Sequence, residues 1–494
     1  MLIFPQETCV DQSLTYCFWV LKNLYPTTLI LFSVRLFLSF LVSIALCHSG
    51  AAKTKNVLLL ISDDLKASTL GCYGDPLVKT PNIDALAAEG VLFKRAYCQG
   101  MTCGPSRMSF MFSRYKGDYG TSLGENFINQ GIYSGRVGKI FHMRVPGDIV
   151  AGTNGVDYEE CWTERFNSPG LEAHTVGLYS LYNHNIFKTE MRGRASTAEK
   201  DRWFVSVQYE GDGSDQPDYK TASKTIELMN ERKDEPFFIA AGFVRPHYPN
   251  VAPNQYFDLY SWQDIELPEV VDNDLDDIPE IGKTSVTSLN DPIGNYPDNQ
   301  KKFWSSYYAT ITYMDDQVGR IIDELKRLGL RESTVVVFIS DHGYLLGEHH
   351  FWQKNNLHED VTNVPMIISA PGMKTGVSDA FVELVDMYPT VSELVGLDIP
   401  DTVQGKSLIS ILKNTKAKVR NEAFSVGNGN RGFAIRSNEW TYIWYKDGSE
   451  ELYNMKEDPM QFTNLASSSK HQKTLVRMRK NLDQRVEMAE LKKG

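Results

Sequence analysis

"NVLLLISDD" (residues 56–64) runs from five consecutive apolar side chains, Val57 to Ile61, through a serine into two adjacent carboxylates, Asp63 and Asp64. A short, nearly unbroken apolar run suits a β-strand buried on both faces, as in a parallel sheet covered by helices. Three further runs share this form. "YSGRVGKIF" (133–141) carries Lys139 and leads into His142, "PFFIAAGF" (236–243) leads into Arg245-Pro246-His247, and "STVVVFIS" (333–340) leads into Asp341-His342-Gly343. In open α/β sheets the active site lies outside the carboxyl ends of the strands. Four such strands would deliver Asp, His and Lys side chains to one edge, so the pattern predicts an α/β fold with its chemistry there.

Helices fit between these strands. "PNIDALAAEG" (81–90) opens on proline and closes on glycine. Residues 303–329 keep an apolar helical stripe through Tyr307, Ile311, Met314, Val318, Ile321 and Leu325 and stop at Gly329. The irregular, polar stretch from 145 to 222 is expected to form loops. After Gly405 the texture changes. "RGFAIRSNEWTYIWYKDGSEELYNM" (431–455) alternates, with Asp447-Gly448 as a hairpin turn, and a helix is expected in 468–490. The chain therefore divides into a leader (1–52), a catalytic domain (53–410) and a C-terminal subdomain (411–494).

A length of 494 residues accommodates one large α/β domain and a smaller one. The net charge of −11 argues against general nucleic-acid binding, which needs a basic face. It leaves an anionic small substrate open, because a local basic cluster overrides a distant acidic surface. Residues 1–52 read as a secretory signal peptide: Arg35, an apolar run from Leu36 to Leu46, then Ser49, Gly50, Ala51 and Ala52. The competing reading is a signal anchor over 27–47. The expectation is an exported protein, periplasmic or secreted, with no stable membrane insertion after cleavage. Beyond the leader only Cys72, Cys98, Cys103 and Cys161 remain, too few for a disulfide framework in a chain of this size.

Asp63 and Asp64 end one predicted strand and Asp341 another. Carboxylates brought together repel unless a cation joins them, and oxygen donors suit a hard divalent ion, calcium or magnesium. The plainer reading of Asp63-Asp64 is a turn or a helix cap. Cys103, in "CGPSRMSFMFSR" (103–114), is open to three readings: a half-cystine, a small buried apolar residue, or the seed of a catalytic group.

Cys103-Gly104-Pro105-Ser106-Arg107, closed by Arg114, resembles the signature of the type I, formylglycine-dependent sulfatases. The resemblance runs from about residue 55 to 466 through "LLLISDDLKASTLGCYGDPLVKTPNIDALAAEGVLFKRAY", "GRVGKIFH", "RPHYP", "YYATITYMDDQVGRIIDEL", "VVVFISDHGYLLGEH" and "ELYNMKEDPMQFTNL". Within the family the pattern is most similar to iduronate-2-sulfatases: His342 follows Asp341 where many sulfatases carry Asn, and "FWQK" (351–354) follows "GEH" (347–349). One departure is Met111-Phe112-Ser113-Arg114, where the family often has Leu-Thr-Gly-Arg.

The resemblance implies an alkaline-phosphatase-like helix–sheet–helix sandwich with a small C-terminal antiparallel sheet. It implies a sulfuric ester hydrolase acting on a sulfated saccharide, with 2-O-sulfated iduronate or uronate units of a polysaccharide such as a glycosaminoglycan as the expected class. It implies a maturase that oxidises Cys103 to formylglycine (3-oxoalanine), whose hydrate attacks sulfur. The implied metal ligands are Asp63, Asp64, modified Cys103, Asp341 and His342, with calcium expected and magnesium the alternative. Arg107 would hold the diol, Lys139 and Lys354 would neutralise charge on sulfate, His142 would manage the diol proton, and His247 or Lys354 would protonate the leaving alcohol. Each has a plainer reading as a surface lysine or a structural histidine. Two other functions compete: a phosphonate or phosphate monoester hydrolase of the same superfamily, and an unmatured carbohydrate-binding pseudo-sulfatase.

Overall fold

The protein is described by a computed structural model covering residues 55–116, 120–194 and 203–493. The leader, with its signal-peptide reading, lies outside the described residues. Among those residues no helix is long and apolar enough to cross a membrane.

The four apolar runs all form strands of one sheet. Thr334–Ser340, Asn56–Asp63, Phe237–Pro246 and Tyr133–Gly138 lie side by side and parallel in that order, and Glu164–Phe166 continues the sheet parallel to Tyr133–Gly138. At the other side Met366–Ser369 pairs antiparallel with Thr334–Ser340 and joins Val91–Tyr97, which also pairs with Asn363–Val364 and Gly376–Glu383. Alternate side chains of the first strand enter two different cores, as a strand buried on both faces must arrange them. Leu58 and Leu60 face the helix Pro297–Arg327 through Tyr307, Ile311, Met314, Val318, Ile321 and Leu325. Val57, Leu59 and Ile61 face Phe110, Met111, Leu123, Phe127, Tyr388 and Val391 on the opposite side. The long helix starts at Pro297, six residues before the sequence expectation, because proline suits the first helical position.

The stretch from 145 to 222 corrects the expectation of loops. Leu178–Leu181, Ile186–Lys188 and Val205–Tyr209 form a second sheet with Asn250–Pro253, and the helix Pro217–Glu231 begins inside the stretch. These strands are three to five residues long, too short for a periodic signal. The C-terminal expectation held its form: Glu422–Val426, Gly432–Ser437, Trp440–Tyr445 and Glu450–Asn454 make an antiparallel sheet. The helix Gln472–Met488 packs on it through Leu475, Met478, Leu482 and Val486. Residue 410, the boundary expected from the sequence, lies in the helix Ile409–Lys413.

The central strands approach closely where they end. Gly138 has φ +70°, and a Cβ there would stand 2.3 Å from the Gly242 carbonyl oxygen. A Cβ at Gly242 would stand 1.9 Å from the Lys139 carbonyl oxygen, while the Lys139 N–H donates to the Gly242 carbonyl at 3.0 Å. Glycine is required on both sides of this crossing. Gly242→Ala should therefore cost about 1–3 kcal/mol by overpacking. A denaturation midpoint shifted at constant slope would show it; an unchanged midpoint would mean that the crossing tolerates a side chain.

Candidate active site

The site is assembled from strand ends. Asp63 closes its strand and Asp64 follows at φ +63°, in the left-handed region. That conformation costs of order 1–3 kcal/mol for a non-glycine residue and needs bracing. Tyr307 supplies part of the brace: its hydroxyl donates to the Asp64 carbonyl at 2.6 Å and accepts the Lys66 N–H at 3.0 Å. Asp341 supplies the rest, its Oδ1 accepting the Asp64 N–H at 3.2 Å and the His342 N–H at 3.0 Å. The turn thus points the Asp63 and Asp64 carboxylates to the same place.

Cys103 is the first residue of the helix Cys103–Phe112 and is buried. Its Sγ lies among charged and polar groups. Asp63 Oδ1 lies at 3.3 Å, Lys354 Nζ at 3.3 Å, His342 Nε2 at 3.4 Å and Lys139 Nζ at 3.9 Å. The positive end of the helix faces the same point. Lys139 also pairs with Asp63, and Lys354 with Asp64. Arg107, fully buried, donates Nε–H to Asp341 Oδ2 at 2.7 Å, has Nη2 3.6 Å from Asp63 Oδ1, and donates Nη1–H to the Ile140 carbonyl at 3.1 Å. It locks the carboxylates to the loop after Lys139.

The charges respond to this crowding. Burial pushes the Asp63 carboxyl up, but Lys139 and Arg107 outweigh it and hold Asp63 well below the usual carboxylate range. Burial prevails at Asp64 and raises it to about 7 against the opposing Lys354 and His342. Burial and Asp63 push the Cys103 thiol up; Lys139 and Lys354 more than reverse this and leave it below its ordinary value. Burial disfavours a charged His342, yet Asp341 and Cys103 carry it up to about 9.

Asp63, Asp64, Cys103 and His342 each offer an atom within 4.8 Å of the others. Asp64 Oδ2 is buried and lacks a hydrogen-bond partner. His342 donates Nδ1–H to the Gly343 carbonyl at 2.9 Å, which leaves its Nε2 side facing Asp64 Oδ1, 3.4 Å away. Two carboxylates, an unpartnered oxygen and a presented imidazole nitrogen fit a divalent cation, which would take the place of the proton held on Asp64 or His342. Asp341 stands beside this group, its Oδ2 3.7 Å from His342 Nε2 but engaged by Arg107.

The two remaining histidines flank the group. His247 donates Nδ1–H to the Tyr248 carbonyl and places Nε2 3.7 Å from Asp64 Oδ2. Burial, reinforced by Lys354, holds its pKa well below the ordinary value. His142 is half-buried beside the start of the helix, where a Cβ on Gly104 would lie 3.7 Å from its own Cβ. Burial and Lys139 lower it to about 4. Arg114 faces away: it donates to the Thr402 carbonyl at 2.9 Å and pairs with Glu490 at 2.7 Å. Sequence reasoning missed Tyr307 as a brace, because its ring fits the apolar stripe, and gave no role to Ser106, whose hydroxyl donates to the Asp341 carbonyl at 2.5 Å.

The sulfatase family model matches residues 55–397, which include every one of these groups. The chain belongs to the sulfatase family. A second model, the C-terminal region of N-sulphoglucosamine sulphohydrolase, matches residues 347–488. A sulfatase of Formosa agariphila is 30% identical over 444 residues, 84% of this chain and 83% of that protein. Human iduronate 2-sulfatase is 32% identical over 401 residues, 70% of each chain. The solved structure of a phosphonate monoester hydrolase of Silicibacter pomeroyi superposes with a TM-score of 0.72 at 22% identity, covering 88% of this chain and 95% of that one. The sulfatase thus has the alkaline-phosphatase-like fold, and its chemistry is sulfate-ester hydrolysis.

The cation fit is testable without turnover. In protein stripped with a chelator, calorimetric titration with calcium should show one site. Asp64→Asn should weaken it by more than the roughly 10–100-fold that loss of an outer-shell partner costs. Equal affinity in the variant would remove Asp64 from the ligand set.

Proposed function

We propose that this sulfatase is a formylglycine enzyme that removes the 2-O-sulfate of a uronate unit in a sulfated saccharide, with a calcium ion held by Asp63, Asp64, residue 103, Asp341 and His342. The observation that carries the reading is the setting of Cys103: a buried side chain at a helix start, within 3.9 Å of two lysines, a carboxylate and a histidine. A structural thiol has no use for such neighbours. As a hydrated aldehyde, residue 103 would supply one hydroxyl to attack sulfur and a second to expel sulfate afterwards. The cation would polarise a sulfate oxygen and acidify that hydroxyl.

The other residues set up this chemistry. Lys139 and Lys354 flank residue 103 and offset the charge of the incoming sulfate. Arg107 keeps Asp63 and Asp341 in place. His142, with Nδ1 buried and without a hydrogen-bond partner, is held neutral and takes the diol proton. Between the two candidates for protonating the leaving alcohol, geometry favours Lys354. Neutral His247 has its one N–H committed to the Tyr248 carbonyl. Burial opposes a charged Lys354, but Asp64 and Cys103 hold its pKa well above the ordinary value, so it carries a proton to give. The uronate assignment rests on His342 after Asp341, on "FWQK", and on the similarity to iduronate 2-sulfatase. The leader supports export to the periplasm or medium, and Cys103 requires a maturase.

Lys354→Ala should lower kcat on a uronate 2-sulfate by about 10²–10⁴-fold, with a smaller change in KM. The loss should shrink on 4-nitrophenyl sulfate, whose leaving group needs no proton. Equal losses on both substrates would assign the leaving-group proton elsewhere.

Protein co-expressed with a maturase should carry a hydrazide-reactive aldehyde at residue 103 and should desulfate uronate 2-sulfate disaccharides. Cys103→Ala should abolish both, and Cys103→Ser should be inactive or trapped as a sulfate ester. Full activity with an unmodified thiol would overturn the formylglycine reading. Activity confined to another sulfate position would overturn the uronate assignment alone.

A further inference from the structure

The segment that carries Cys103 is tied to the C-terminal sheet at three places. Ser425 donates its hydroxyl to the Cys98 carbonyl at 2.7 Å, and Gln99 Nε2 donates to the Phe424 carbonyl at 3.2 Å. The third tie is nearest the nucleophile. Asn428, half-buried in the turn between Glu422–Val426 and Gly432–Ser437, donates through Nδ2 to Thr102 Oγ1 at 2.8 Å and to Asn355 Oδ1 at 3.1 Å.

Each acceptor is next in sequence to a group of the site. Thr102 caps the helix that starts at Cys103, yet its side chain makes no capping bond of its own. Its hydroxyl is held by Asn428 instead. Asn355 follows Lys354 and sits at φ +75°, where asparagine is among the better tolerated residues. Its N–H donates to the Met101 carbonyl at 3.2 Å. The segments 101–103 and 354–355 are therefore joined twice, once by backbone and once through the Asn428 amide. That joint lies behind the 3.3 Å separation of Cys103 Sγ and Lys354 Nζ.

We infer that Asn428 is a positioning residue: by bridging Thr102 and Asn355 it holds the nucleophile's helix and Lys354 in register from the C-terminal sheet. It acts through its neighbours and touches neither reacting atom. The inference rests on the reading that residue 103 and Lys354 carry the reaction. Misplacing a catalytic group by as little as 1 Å can lower a rate about 10²-fold, so a small slackening here is expected to register in kcat.

Two variants isolate the bridge. Asn428→Ala removes the donor. Asn355→Gly removes the acceptor and keeps a residue at ease at φ +75°. Each is compared with the wild type in kcat and KM on an aryl sulfate, aldehyde content by mass, thermal midpoint, and hydrogen exchange of peptides covering 98–104 and 352–358. Each should lower kcat by at least 10-fold, with KM within about 2-fold and aldehyde content and midpoint unchanged. Exchange should quicken in those two peptides, and the double variant should lose no more than the worse single variant, as partners in one contact do. A wild-type kcat in Asn428→Ala, losses that multiply in the double variant, or a loss that tracks the thermal midpoint would overturn the inference. The exchange measurement does not depend on turnover. Loosening in both peptides of a wild-type-derived protein that never hydrolyses a sulfate would uphold the bridge and overturn the sulfatase mechanism instead.

Discussion

Buried negative charge is the constraint around which the molecule is built. Asp63, Asp64 and Asp341 are each 0% exposed, and they lie at the ends of two adjacent strands. Ionised carboxylates removed from water are costly unless paired, and unpaired they take up protons. Arg107, Lys139 and Lys354 offset part of this cost, and their order is telling. Arg107 and Lys139 are fully buried and committed to Asp63 and Asp341, whereas Lys354 retains some exposure at the mouth. The inner cations are spent on carboxylates of the site, and the outer one keeps contact with solvent. Asp64 is left underpaired, and that deficit is where a divalent ion belongs.

Meeting this constraint fixes backbone details far from the ligand atoms. Lys139 reaches Asp63 only if its strand passes close to Phe237–Pro246, which the Gly138 and Gly242 crossing permits. Asp64 faces the site only in a left-handed turn, which the Tyr307 hydroxyl and the Asp341 carboxylate brace. Arg107 reaches Asp341 because it lies one helical turn after Cys103, on the face that meets the strand end. The helix start is therefore positioned by the same ion pairs that neutralise the carboxylates.

Most of this was legible in the chain, for identifiable reasons. Strands buried on both faces are near-continuous apolar runs, so the four central strands and the polar residues at their ends stand out. The helix around Tyr307 shows its stripe, but a stripe does not reveal which ring carries a working hydroxyl. The second sheet was invisible because strands of three to five residues carry too little pattern, and its partner Asn250–Pro253 is distant in sequence. The position of Asp341 at a strand end was legible, but its engagement with Arg107 and two backbone N–H groups depends on tertiary packing.

Packing is continuous across the change of texture after Gly405. Buried Glu383, at the end of a main-sheet strand, accepts a bond from the Tyr115 hydroxyl, pairs with Arg485 of the terminal helix at 2.7 Å, and lies 3.5 Å from Arg420. Tyr115 stands three residues beyond the end of the helix of Cys103. Removing one member of a buried ion pair commonly costs about 3–5 kcal/mol, because it strands the other charge. The terminal helix is thus fastened to the segment that follows the helix of Cys103, while the Asn428 turn is fastened to the segment that begins it. A small antiparallel sheet whose strands pair with each other thus grips both ends of one ten-residue helix.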